Sequence, residues 1–177
     1  MSSLYLAIDF NNETKQLLAK KQLLLKQTST GEWEDPSRFH ITVKFLAEEQ
    51  VNANTALLAM KMFDEMYKPN KFEVIANGFR QFEQGVAWIG VDKSFPLYQI
   101  KYDIDECLKK CNFPLQQEKF DGYIPHITMA YNFNNPNLEA INFQEPQHIV
   151  VDNLSLWASP KCNDTYVTNC LYRVNFN

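Results

Sequence analysis

The tripeptide His-Ile-Thr occurs twice, at positions 40–42 and 126–128, in a chain of 177 residues that has only three histidines. The flanks align without gaps: Phe39-His40-Ile41-Thr42-Val43-Lys44-Phe45 against Pro125-His126-Ile127-Thr128-Met129-Ala130-Tyr131. Each copy also has the same setting. A short apolar run, Leu4 to Phe10 in one case and Val86 to Val91 in the other, reads as a strand. A stretch of helical periodicity comes next, and the triplet then opens another strand. A strand–helix–strand unit used twice confines the chain to an α+β fold of two lobes about a pseudo-two-fold axis. Two mostly antiparallel sheets would line a central cleft, with helices outside.

Around these units the pattern predicts helices over about Glu13–Gln27, Asn54–Tyr67 and Pro96–Cys111. Further strands are expected at Phe72–Phe79, Ile149–Trp157 and Tyr166–Phe176, with a turn near Gln84-Gly85. Thr28–Ser37 reads as a polar loop, and Asn132–Gln147, rich in Asn and Pro, as irregular. No linker or low-complexity tract separates the halves, so residues 1–177 are expected to form one domain of two lobes.

Apolar residues make up 45% of the chain and charged ones 21%, enough to bury a core without staples. The four cysteines form no Cys-x-x-Cys pair, which argues against a zinc ribbon; Cys107 and Cys111, four apart on a helix, read as free thiols. No apolar run is long enough to span a membrane and no signal peptide is evident, so the cytoplasm is the expected compartment. The net charge of −4 and pI near 5.4 leave no basic stripe for tracking a long nucleic acid. A nucleotide partner would be small, or the end of a strand, and the protein is expected to be a monomer.

Alternation on a strand puts His40 and Thr42 on one face and Ile41, Val43 and Phe45 on the packed one. The same parity pairs His126 with Thr128, and sends Ile127, Met129 and Tyr131 inward. Two imidazoles on opposite sides of a phosphate can divide acid and base roles near neutral pH without a metal or other cofactor. The threonine hydroxyls would donate to its non-bridging oxygens. One such triplet is unremarkable structural sequence; two in equivalent places point to phosphodiester chemistry. His148 lacks this context and reads as an ordinary strand-entry or surface residue.

On these paired motifs the chain resembles the 2H phosphoesterase superfamily, defined by two His-x-Thr/Ser motifs. It is most similar to the LigT-like (ThpR) RNA 2′,3′-cyclic phosphodiesterases, also called 2′-5′ RNA ligases. Leu4–Asp9 resembles their opening strand, Phe79–Val91 their middle hairpin, and the similarity covers nearly the whole chain. The resemblance implies a bilobal fold and hydrolysis of 2′,3′-cyclic phosphates of RNA ends or nucleotides to 2′-phosphates. His40 would be the proton donor, His126 the base, and Thr42 and Thr128 the phosphate-binding residues. Relatives in viruses and phages degrade 2′-5′ oligoadenylate or cyclic oligonucleotide signals with the same four residues, and a non-catalytic nucleotide-binding module is the alternative of another class. The chain departs from many LigT-like members in having Tyr131 for a basic residue and Ala47 for a glycine. Lys44, on the strand face of His40, is a candidate to restore the charge. Phe39, Phe120, Tyr123 and Trp33 are candidates to stack a base.

Overall fold

A computed structural model describes residues 3–47, 53–114, 122–135, 138, 141, 143–159, 161–162 and 165–177. In chain order the elements are β1 (Ser3–Asp9), α1 (Asn12–Lys26), β2 (Thr30–Trp33), a 3-10 turn (Pro36–Arg38), β3 (His40–Ala47), α2 (Ala53–Tyr67), β4 (Phe72–Phe82), β5 (Val86–Val91) and α3 (Phe95–Lys110). They continue with β6 (His126–Asn134), β7 (Gln147–Val151), β8 (Asn153–Ser159), β9 (Lys161–Cys162), β10 (Thr165–Tyr166) and β11 (Asn169–Asn175).

The strands form two larger antiparallel sheets and a small β10-β9 ribbon. The first sheet has the order β11-β8-β1-β3, the second β2-β6-β5-β4-β7. The expected α+β fold with two antiparallel sheets is therefore the one adopted. In each sheet a strand–helix–strand unit supplies a neighbouring pair: β1 pairs β3, and β5 pairs β6. Asp9 lies opposite His40 in one pair, and Gly90 opposite His126 in the other.

Helix α1 starts where the Asn11 side chain accepts from the Thr14 amide at 2.8 Å. It serves the sheet of the other unit. Buried Gln22 donates from Nε2 to the carbonyls of Glu34 (2.8 Å) and Met129 on β6 (2.9 Å). Helix α3, from the second unit, in turn reaches the first sheet through Asp105, which pairs with Lys44 of β3 at 2.8 Å. The helices thus cross-link the sheets. One continuous core draws on Leu6 and Ile8 of β1, Ile41 of β3, Ile89 of β5, Ile127 of β6 and Ile104 of α3, all fully buried.

Several expected boundaries shift: β4 runs past Phe79 to Phe82, and β6 runs to Asn134, into the stretch expected to be irregular. The polar loop contains β2, an edge strand against β6 whose exposed Thr30 and Glu32 alternate with half-buried Gly31 and Trp33. The expected long strand from Ile149 to Trp157 is two strands in different sheets, with the chain crossing over at Asp152. The last expected strand is likewise divided between β10 and β11.

Candidate active site

A β-bulge at the same place in each motif decides which side chains reach the site. On β3, Thr42 pairs with Ala7 but Lys44 pairs with the adjacent Leu6, so Val43 is an extra residue. On β6, Thr128 pairs with Trp88 but Ala130 pairs with the adjacent Ala87, so Met129 is extra. Both bulges fall three residues after the histidine. A one-residue bulge reverses the facing of the rest of its strand.

That reversal corrects three expectations. Phe45 and Tyr131, expected inside, are 46% and 44% exposed and turn to the face of the motif residues. Lys44, expected beside His40, turns to the opposite face, where it is largely buried against Asp105; it does not restore a free charge. Ile41 and Ile127, ahead of the bulges, are buried as expected.

The two histidines open their strands with matching second contacts. His40 Nδ1 donates to the Arg38 carbonyl at 2.7 Å, and His126 Nδ1 to the Ile124 carbonyl at 2.8 Å. A carbonyl only accepts, so Nδ1 carries the hydrogen in each ring and a neutral imidazole presents its lone pair at Nε2. Local sequence sets up both carbonyls. Asp35 accepts from the Ser37 amide and caps the 3-10 turn that ends at Arg38. Ile124 precedes Pro125, which favours extended backbone.

Thr42 Oγ1 lies 3.0 Å from His40 Nε2, and the Tyr123 hydroxyl donates to the Thr42 carbonyl at 3.0 Å. β3 and β6 are in contact, and the charge of His126 bears on His40. The structure therefore brings the two histidines into one neighbourhood, with both threonines on the histidines' faces. Burial lowers both imidazole pKa values, opposed by the carbonyl bonds; at His40, Asp9 also raises the pKa while Arg38 and His126 lower it.

Asp9 is held at the far end of β1. Its backbone N–H and C=O bond to the Asn153 amide at 3.2 and 2.9 Å, and its carboxylate meets Lys15 and Arg173, each at 2.7 Å. A small pocket beside His40 is lined by Tyr5, Asp9, Ser37, Arg38, Trp157 and Thr168. The Arg38 Nε stands 3.4 Å from Glu34, whose other oxygen accepts from Tyr131 at 3.2 Å. Burial and the neighbouring carboxylate push the Tyr131 phenol up to about 12, so it stays a donor.

Two of the four expected stacking rings lie elsewhere. Phe39 is 1% exposed in the core, Trp33 packs edge-on to Phe133, and Phe120 falls outside the described residues. Tyr123 borders the site, but its hydroxyl is committed to Thr42. The rings against the histidines are others: Tyr5 stacks on His40 at 5.3 Å, while Phe82 and Trp88 flank His126 at 5.2 and 5.5 Å. Their signal in sequence is register: Tyr5 and Trp88 sit on the strands that pair with the motif strands. His148 is exposed on β7, 2.6 Å from Glu73, away from the motif strands as expected. Cys107 is buried and Cys111 half-buried, both free thiols. Among the described residues no helix is long and apolar enough to cross a membrane.

The fold has counterparts among solved structures. The chain aligns over 99% of its length with 97% of E. coli LigT in its apo form, at 18% identity and a TM-score of 0.76. E. coli LigT complexed with 3′-AMP gives 0.75. TT0787 of Thermus thermophilus matches 98% of the chain over 97% of its own, at 15% identity and 0.75. The PDE domain of MHV ns2 matches 85% of the chain over 98% of its own, at 12% identity and 0.57. These likenesses establish a LigT-like fold. No curated protein matches in sequence. The family model for the 2′-5′ RNA ligase superfamily matches residues 37–161, which hold both triplets and well over half the chain. The chain is thus a member of the 2′-5′ RNA ligase superfamily of 2H phosphoesterases.

Proposed function

We propose that the protein is a metal-independent phosphodiesterase that opens 2′,3′-cyclic phosphates of RNA ends or nucleotides to 2′-phosphates, its two lobes acting as one domain. The observation that carries this reading is the matched pair of imidazoles. Each is fixed through Nδ1 to a carbonyl two residues earlier, which turns Nε2 to the motif face, where that of His40 contacts the Thr42 hydroxyl. The family supplies the reaction class, and E. coli LigT has been solved with 3′-AMP and with phosphate.

In the proposed reaction His126 Nε2 takes a proton from water as the water oxygen bonds to phosphorus. The bond from phosphorus to O3′ breaks, and protonated His40 Nε2 delivers its proton to O3′. The 2′-phosphate remains. Thr42 and Thr128 donate to the non-bridging oxygens, and the Thr42 hydroxyl exchanges its contact with His40 for one with the phosphate. A histidine acting as acid or base contributes about 10²–10⁴-fold in rate.

The test is a parallel incubation with 2′,3′-cyclic mononucleotides, 2′-5′ oligoadenylate and cyclic dinucleotides. Turnover of the cyclic mononucleotides to 2′-phosphates, unaffected by chelator, is the expected result. Turnover of 2′-5′ oligoadenylate or cyclic dinucleotides alone would move the substrate to defence-type signals. Binding of the panel without turnover of any member would make the protein a nucleotide-binding module.

A further inference from the structure

On the second sheet, one cation is aimed at the site by glycine geometry. Between Asn77, opposite Gly90, and Phe79, opposite Ile89, β4 carries an extra residue, Gly78, with φ of 72°. Glycine reaches that conformation at no steric cost, and the bulge resets the facing of β4. Arg80 therefore pairs with Trp88, on the face that also carries Thr128 and His126.

The guanidinium is held there from two sides. Its Cζ lies 5.6 Å from the Trp88 ring centroid, within cation–π range. It also lies over Gly90, the residue opposite His126: a Cβ at Gly90 would sit 3.2 Å from Arg80 Cζ and 3.3 Å from Nε. The same Cβ would meet the Asn77 carbonyl oxygen at 3.0 Å, so the gap at Gly90 admits both the neighbouring strand and this side chain. Arg80 is exposed, and among the described residues no carboxylate lies within ion-pair distance of it. Lys44 and Arg38, the cations of the other motif, each meet a carboxylate.

We propose that Arg80 is a substrate-binding residue whose guanidinium takes phosphate oxygens beside His126. This rests on the reading of the site as a phosphodiesterase. A planar fork of N–H donors matches phosphate oxygens, and the Trp88 face and the Gly90 gap fix its orientation in advance. The oxygens belong either to the scissile group or to the phosphate of an adjoining nucleotide; the chemistry is the same.

Kinetics of wild type, R80A and R80K on adenosine 2′,3′-cyclic phosphate and on its 5′-phosphorylated form separate the two sources. A loss in kcat/KM of about tenfold or more for R80A on both substrates assigns the scissile phosphate. The same loss confined to KM for the 5′-phosphorylated form assigns the adjoining phosphate. In either case R80K recovers part of the loss and the Tm is unchanged. Unaltered kcat and KM on both substrates overturn the proposal. If wild type turns over neither compound, the 2′,3′-cyclic phosphodiesterase reading fails separately. Calorimetric titration with inorganic phosphate then decides: tighter binding by wild type than by R80A supports Arg80, and equal or absent binding overturns it.

Discussion

The Tyr123 hydroxyl donates to the Thr42 carbonyl at 3.0 Å, tying the segment that leads into the second motif to the strand of the first. Tyr98 of α3 donates to the Tyr123 carbonyl at 2.9 Å, so the tie is anchored from behind. Burial raises the Tyr123 pKa well above the usual phenol value, which keeps this donor protonated across the working range.

Y123F removes that one bond and little else. The expected cost is about 0.5–1.5 kcal/mol of stability, read as a lower denaturant midpoint with unchanged slope. Turnover should fall with it, because the distance between the motifs is held less tightly. Wild-type midpoint and wild-type turnover together would show that the bond positions nothing.

Q22L tests the cross-link between α1 and the second sheet. The substitution strips two buried carbonyls, those of Glu34 and Met129, of a donor. A loss of about 1–3 kcal/mol is expected in chemical denaturation. A neutral result would mean that water or a neighbour replaces the amide.

The motif strands show how far sequence determines facing in this protein. Alternation places His40, Ile41 and Thr42 correctly, and the same holds for His126, Ile127 and Thr128, because hydrophobic burial enforces period two. It fails from Lys44 and Ala130 onward, where Val43 and Met129 bulge. Neither residue carries a turn signal, so nothing in the local sequence marks the reversal that exposes Phe45 and Tyr131. Arg80 is hidden for a related reason: its facing depends on Gly78, which reads equally well as an ordinary interruption of a strand. The carbonyl partners of the two histidines are backbone atoms, which residue identity does not display. What spacing does reveal is the repeated unit and the antiparallel α+β fold; the family is legible only through the resemblance of the two motifs.

The pH dependence rests on the direction of the two histidine shifts. Burial holds both imidazoles below the usual histidine value in the free protein. A base and an acid are productive together between their pKa values, so kcat/KM against pH should be a bell centred below about pH 6.5. Stability carries the same sign. Below about pH 6.5 the unfolded chain binds more protons at these sites than the folded one, so folding stability falls as pH drops through that value toward the lowered folded pKa values. H40N and H126N should each lose less stability than wild type between about pH 7 and 5. A flat rate profile, or equal acid sensitivity in all three proteins, would contradict the shifts.

Metal removal is expected to leave the activity intact. In the proposed mechanism two imidazoles and two hydroxyls supply proton transfer and phosphate contact without a Lewis acid. Assays in excess EDTA should match untreated enzyme. A loss that magnesium or manganese restores would require a different mechanism.

The most direct test of the central claim is a double-mutant cycle on His40 and His126, with turnover of a 2′,3′-cyclic mononucleotide as the readout. H40A and H126A should each lower kcat by about 10²–10⁴-fold while remaining folded. The double variant should be little worse than the poorer single, because an acid and a base serving one step fail together. Either single variant retaining near-wild-type kcat, or losses that multiply in full, would contradict the claim that both histidines act on one phosphate.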